Sequence, residues 1–284
     1  GGLSPGAPRT VVYVIASMIT GGTQTHLLQV LRNLDRTLYR PVLFALRDHG
    51  NLLDAARACD CEVRTFGMGG SLKDPRDFRG LIRMWKALRE LRPAVVHGYL
   101  LRGNFYAALA GRLAGVPVVL TSKRGLHRPA GVAERLAVRV AGRLSDTITG
   151  NSLEVLDFTR KVEGPPPVPM VMIPSGIDTE RFDPAVVGSG PGRALRLALG
   201  IGNAPVVGTA TTFRPKKGYP MLLEALAELR RSVPDAVLLL AGAEAMSDDA
   251  AAMAARLGIR DAIHLLGRRS DMPEVLAAFD VFVL

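Results

Sequence analysis

Arg214, Lys216, Lys217 and Gly218 close a short basic stretch that runs straight into an apolar-periodic segment through Met221, Leu222, Ala225, Leu226 and Leu229. An apolar run ending near Gly208 precedes it, so the order is strand, basic loop, helix. Unpaired amides at a helix start and the positive end of the helix dipole both favour negative charge, so cations delivered there suit a phosphorylated ligand. A solvated surface loop has the same composition. Near the other end of the chain, Gly21-Gly22 separates a β-branched run over 11–15 from a helical pattern at Leu27, Leu28, Val30, Leu31 and Leu34. Adjacent glycines either let a backbone approach a ligand closely or make a plain tight turn. Gly21-Gly22 belongs to no Gly-x-Gly-x-x-Gly, and no Gly-Lys-Ser/Thr phosphate loop occurs, which disfavours a Rossmann oxidoreductase.

Two further groups carry titratable side chains. His97 ends an apolar run over 94–97 and is followed by Gly98-Tyr99, where an imidazole serves as base or donor, or is a satisfied structural histidine. Lys123-Arg124-Gly125-Leu126-His127-Arg128 follows the next strand and is either solvated or an anion site. No metal-ligand spacing and no Ser/His/Asp signature is present.

The elements that must hold these residues alternate regularly. Strands are expected over 11–15, 41–46, 62–66, 94–97, 116–121, 147–149 and 171–173, with helices between them, including 77–91, 103–114, 132–144 and 152–161. Near-continuous apolar strands alternating with helices specify a parallel sheet covered on both faces. The pattern lapses from 174 to 205, loosest at Gly188-Ser-Gly-Pro-Gly192, and resumes with strands over 206–210, 237–241, 263–266 and 281–284 and helices over 220–231, 248–257 and 272–279. Asp271 and Glu274 fit an N-cap with a carboxylate three residues on. The expected organisation is a flexible leader over 1–10, a first domain over 11–174, a linker over 175–205 and a second domain over 206–284. The second series has fewer elements than a doubly wound domain needs, so it reads as C-terminally incomplete. Ligands of open α/β sheets sit at the carboxyl ends of the strands, and a cleft between two such domains is expected to bring the glycine and basic loops face to face.

With 284 residues, 48% hydrophobic and 22% charged, and no long uninterrupted apolar run, the composition is that of a globular protein without a membrane-spanning helix. Cys59 and Cys61 lie too close for a disulfide and are too few for a zinc site, so they read as structural thiols of a reducing compartment. The net charge of +10 is uneven: residues 1–165 hold 24 Lys and Arg against 13 Asp and Glu, and residues 166–284 hold 12 against 13. A basic first half suits an acidic substrate or an anionic membrane surface. The sparse aromatics speak against nucleic acid. Arg79, Arg83, Lys86 and Glu90 form one face of a helix, and Arg135, Arg139 and Arg143 a row on another; each is an ordinary solvated face or a contact with anionic lipid.

Several stretches, in the right order and across essentially the whole chain, resemble glycosyltransferase family four, the retaining GT-B enzymes. They are Gly21-Gly-Thr-Gln-Thr-His-Leu27, Pro93-Ala-Val-Val-His97, Ile173-Pro-Ser-Gly-Ile-Asp178, Arg214-Pro-Lys-Lys-Gly218 and His264-Leu-Leu-Gly-Arg-Arg-Ser-Asp271. The resemblance implies two Rossmann-like doubly wound parallel-sheet domains facing across a cleft. It implies transfer of a sugar from a UDP- or GDP-type nucleotide diphosphate sugar to a hydroxyl, with retention and with neither cofactor nor essential metal. Gly21, Gly22, Arg214, Lys217 and Gly218 would meet the donor diphosphate, Gly267 and Arg268 the nucleotide, and His97, Arg124 and His127 the reacting centre. The implied partners are a nucleotide sugar and a glycan or lipid-linked acceptor of envelope, capsule or exopolysaccharide synthesis, at a cytoplasmic or peripheral inner-membrane location. A nucleotide-sugar epimerase of the same architecture and a non-catalytic nucleotide or polyanion binder are the alternatives. Thr212 occupies the family's usual arginine position, with Arg214 as substitute, and Ser122-Lys123-Arg124 stands where a histidine is common. The family's paired glutamates would lie beyond Leu284, so the chain as written is expected to be inactive or severely impaired.

Overall fold

The computed structural model describes residues 7–69, 74–211, 213 and 217–284. Arg214 therefore lies outside the described residues, as do Thr212 and Lys216. The chain divides into two compact units, Gly1–Ile177 and Asp178–Leu284.

The first unit alternates β1 (Arg9–Ile15), α1 (Gly22–Asn33), β2 (Tyr39–Ala45), α2 (Leu53–Arg57), β3 (Glu62–Thr65), α3 (Pro75–Leu91) and β4 (Val95–Tyr99). It continues through α4 (Leu100–Ala114), β5 (Val118–Lys123), α5 (Val132–Leu144), β6 (Thr147–Gly150), α6 (Leu153–Glu163) and β7 (Met170–Met172). All pairings are parallel, in the order β3-β2-β1-β4-β5-β6-β7. The winding reverses between β1 and β4, and the carboxyl ends of these strands form the switch point where open α/β sheets bind ligands. Arg9 and Thr10, expected in the leader, already pair in β1.

The β1 and β2 side chains point alternately into two cores. Tyr13, Ile15 and Leu43 pack with Leu27 and Leu31 of α1, while Val12, Val14 and Phe44 pack with Met84 and Leu88 of α3 and Ala107 and Ala110 of α4. α4 lies on the sheet without intervening side chains: a Cβ on Gly103 would stand 2.6 Å from the Val14 carbonyl oxygen, and one on Gly98 2.6 Å from the Asn104 Cα. Gly103→Ala is expected to lower stability by about 1–3 kcal/mol, because backbone must yield to one methyl; urea unfolding measures it.

A buried network ties α3 to α4. Asp77 accepts from the Gly69 N–H at 2.8 Å, from the Tyr106 hydroxyl at 2.5 Å and from the Arg102 guanidinium, and both charged residues are buried. Cys59 and Cys61 are free, and burial pushes the Cys61 thiol up to about 12.

In the second unit α7 (Pro184–Val187) and α8 (Gly190–Ala198) precede β8 (Val206–Ala210), α9 (Tyr219–Ser232), β9 (Val237–Ala241), α10 (Asp248–Arg256), β10 (Ile263–Gly267), α11 (Met272–Leu276) and β11 (Val281–Phe282). The parallel order is β10-β9-β8-β11. The segment expected to be loosest is thus helical. Gly192 is a packing residue: its Cβ would stand 2.2 Å from the Ala277 carbonyl oxygen behind α11. Pro191 lies in the first turn of α8, where its missing N–H has no partner to lose. Asp271 does not cap α11 with its side chain but pairs with Arg269. Among the described residues, no helix is long and apolar enough to cross a membrane.

Candidate functional site

In the first unit the candidate residues gather at the β1/β4 switch point. α1 begins at Gly21 with neither a side-chain cap nor an acidic residue in its first turn. α3, α6 and α10, by contrast, are capped by Asp74, Ser152 and Ser247. The first amides of α1 are therefore left for another acceptor. A Cβ on Gly22 would meet nothing within 4 Å, so no packing inside the protein demands a glycine there.

His97 stands beside this terminus on β4. Its Nε2 lies 2.8 Å from the Ser122 hydroxyl, which lies 2.5 Å from the Thr149 hydroxyl. Asn104 fixes the Ser122 backbone from both sides, donating to its carbonyl at 2.9 Å and accepting from its N–H at 3.0 Å. The rings of Tyr99 and Tyr13 sit 4.6 Å and 6.0 Å from the imidazole. Burial first, then the Arg124 charge and His26, lower the His97 pKa to about 3, so the ring is neutral across the physiological range.

The same two forces, burial and Arg124, lower the pKa of His26 on α1, whose Nδ1 is buried without a partner among the described residues. His26 was not singled out as a site residue in the sequence, although it lies four residues after Gly22 and so one helical turn into α1. Arg124, half-buried, donates to the Ser175 hydroxyl at 2.9 Å. One guanidinium and two neutral imidazoles thus converge at an uncapped helix start, a set that binds an anion and donates to or accepts from a hydroxyl.

The rest of the basic loop goes elsewhere. Lys123 is neutralised by a largely buried ion pair with Glu163 at 2.6 Å, which removes it from any anion site. His127 is exposed and its Nε2 faces Glu134 at 3.3 Å, away from the His97 group. His97→Gln is expected to flatten the acid dependence of stability. Below roughly pH 6.5 the unfolded chain binds a proton that the folded imidazole refuses, so stability falls with pH toward the folded value. Melting temperatures of parent and variant between roughly pH 6.5 and pH 4 read this difference.

In the second unit the basic loop follows β8, beside the reversal between β8 and β11. Lys217 is exposed and Gly218, at φ 70°, is the N-cap of α9, again without a side-chain cap or acidic first-turn residue. That left-handed backbone favours glycine. Lys217 and Gly218 lie at a largely apolar cavity of about 840 Å³ bordered also by Thr209, Thr211, Met221 and Leu222. Gly267, at φ 64°, ends β10, and Arg268 beside it is exposed; neither lines this cavity.

The profile of Glycosyltransferase Family 4 matches residues 20–181, and that of Glycosyl transferases group 1 matches residues 195–284. The chain is 27% identical over 221 residues to an Escherichia coli UDP-Gal:alpha-D-GlcNAc-diphosphoundecaprenol alpha-1,3-galactosyltransferase, covering 74% of this chain and 56% of the relative. It is 33% identical over 155 residues to a Mycolicibacterium smegmatis GDP-mannose-dependent alpha-(1-6)-phosphatidylinositol monomannoside mannosyltransferase, covering 53% of this chain and 39% of the relative. The chain thus spans about half the length, or less, of these curated relatives. Anabaena HepE, solved with UDP and glucose, superposes with a TM-score of 0.78 at 21% identity over 96% of this chain and 73% of its own. That likeness shows the fold, which is GT-B.

Proposed function

Because the chain belongs to glycosyltransferase family 4, we propose that it transfers a sugar from a nucleotide diphosphate sugar to an acceptor hydroxyl with retention at the anomeric carbon. The observation that carries this reading is the start of α9, where Lys217 adjoins a glycine N-cap and the helix has no side-chain cap among the described residues. Negative charge grows on the leaving diphosphate as the glycosidic bond breaks, and a fixed cation and helix end stabilise that charge more than the ground state. Lys217 and the Gly218–α9 amides take this role, with Arg214 from the same loop, and Gly267 and Arg268 take the nucleotide. In the first unit the Gly21-Gly22 terminus binds phosphate, while Arg124 and neutral His97 hold the reacting groups. His127 belongs to the same loop and is assigned no contact beyond Glu134.

The donor is of UDP or GDP type, and no resident cofactor or metal is required. A lipid-linked or glycan acceptor of envelope synthesis fits the curated relatives' substrates, and placement on the inner face of the membrane follows from that acceptor. Epimerisation is the weaker reading, since both of these relatives are transferases.

Thermal unfolding with UDP, GDP, ADP or NAD, of a chain that also carries the family's paired glutamates, tests the donor assignment. A nucleotide at 100 times its dissociation constant stabilises by about 2.7 kcal/mol. A rise in midpoint with UDP or GDP supports the reading and names the base. No shift, or a shift with NAD alone, removes it.

A further inference from the structure

His97, Ser122 and Thr149 stand on neighbouring strands, β4, β5 and β6. Ser122 is in register with Thr149 on β6 and with Tyr99, two residues beyond His97 on β4, so the three side chains share one face of the sheet. Ser122, Thr149 and Thr121 are all buried. A buried hydroxyl carries a single proton, and the partners around it decide which way that proton points.

The Thr149 hydroxyl meets two partners, the Ser122 hydroxyl at 2.5 Å and the Thr121 carbonyl at 3.4 Å. A carbonyl only accepts, so the second contact takes the Thr149 proton. Thr149 then accepts from Ser122, and Ser122, already donating, accepts from the His97 Nε2–H at 2.8 Å. The opposite direction would set the Thr149 lone pair against the Thr121 carbonyl. Nearby groups are engaged elsewhere: the Ser122 carbonyl takes the Asn104 amide at 2.9 Å, and the Thr121 hydroxyl lies 3.1 Å from that of Ser145.

The second ring nitrogen faces outward. The His26 Nδ1 is buried without a partner, whereas the His97 Nδ1, also without a partner among the described residues, belongs to a half-buried ring and reaches solvent. The ring is neutral near pH 7, so a proton on Nε2 leaves Nδ1 with a lone pair and no proton.

We infer that Ser122 and Thr149 are positioning residues that hold His97 as the Nε2–H tautomer, so that Nδ1 accepts a hydrogen bond from a hydroxyl of the sugar substrate and repels a phosphate oxygen. Phosphate is thereby left to the α1 amides and Arg124, which only donate. The hydroxyl rests on the proposed sugar transfer, while the tautomer stands without it.

Nitrogen-15 NMR of the imidazole nitrogens near pH 7 tests it, with His97→Gln to assign the signals. The parent is expected to show a protonated Nε2 and a bare Nδ1. Thr149→Val removes the acceptor that fixes the Ser122 proton, so the population is expected to move toward Nδ1–H, and Thr149→Ser is expected to keep the parental pattern. In a chain that also carries the family's paired glutamates, Thr149→Val is expected to slow transfer about ten-fold, the effect of one hydrogen bond, with Thr149→Ser close to the parent. A bare Nε2 in the parent, or a tautomer unmoved in Thr149→Val, overturns the relay whatever the transfer rate. If Thr149→Val does not fold, the parental spectrum decides. The expected tautomers with unchanged transfer in Thr149→Val overturn the hydroxyl contact. The expected tautomers with no thermal shift by UDP or GDP remove the transferase reading, and the hydroxyl with it.

Discussion

Asp77→Ala is expected to destabilise the first unit by about 3–5 kcal/mol, the cost of leaving one partner of a buried ion pair uncompensated. Arg102 would remain buried with no carboxylate, and the Tyr106 hydroxyl and the Gly69 N–H would lose their acceptor in the same step. Each of these groups has already been taken out of water, so the loss exceeds that of an exposed pair, which is typically below about 1 kcal/mol. The exposed Arg57–Asp54 pair on α2 is the internal comparison, and Arg57→Ala should barely move the midpoint. A double replacement, Asp77→Leu with Arg102→Met, is expected to recover much of the loss, since both charges leave together. Urea midpoints of the three variants decide it; an Asp77→Ala loss no larger than the Arg57→Ala loss would show that the network is solvated.

In a chain that also carries the family's paired glutamates, Lys217→Ala is expected to lower the transfer rate by about 10²–10³, the effect of removing one group that stabilises charge developing in the transition state. Lys217 is exposed and in no ion pair among the described residues, so its removal leaves no buried group stranded and should not alter unfolding without ligand. This separates a catalytic loss from a structural one. The same change should abolish the nucleotide-induced rise in midpoint, whereas Lys217→Arg, which keeps the charge at the helix end, should retain part of both. Unchanged turnover in Lys217→Ala would move the phosphate contact elsewhere in the loop.

The alternation of strand and helix was legible because every strand of a doubly covered parallel sheet is apolar on both sides, which leaves a continuous run in the sequence. Strand ends at the carboxyl edge were not. β5 was expected over 116–121 but runs from Val118 to Lys123, because Ser122 and Lys123 continue the ladder with polar side chains. Those polar residues carry the site: Ser122 bonds His97, and Lys123 is withdrawn to Glu163. The charge of Lys123 is visible in the sequence, but its partner lies 40 residues away and only the fold brings it near. α8 was missed for a related reason, since Gly188-Ser-Gly-Pro-Gly192 has the composition of a loose turn while Gly192 is fixed by its approach to Ala277. His26 and Arg124 are likewise joined by the fold alone, although each stretch was identified separately.

The contact of α4 with bare backbone across β1 and β4 also sets an order of exposure in time. Where a helix rests on a strand's own carbonyl groups, no local opening frees one without the other. In heavy water the amides of Val14 and Val96 should therefore be among the last to trade hydrogen for deuterium, at a cost near that of global unfolding. The loop bearing Arg124 should trade early. His97 would then be mounted on the slowest-opening part of the molecule, while the guanidinium of Arg124 would ride on a segment that opens many times before the strand beneath does.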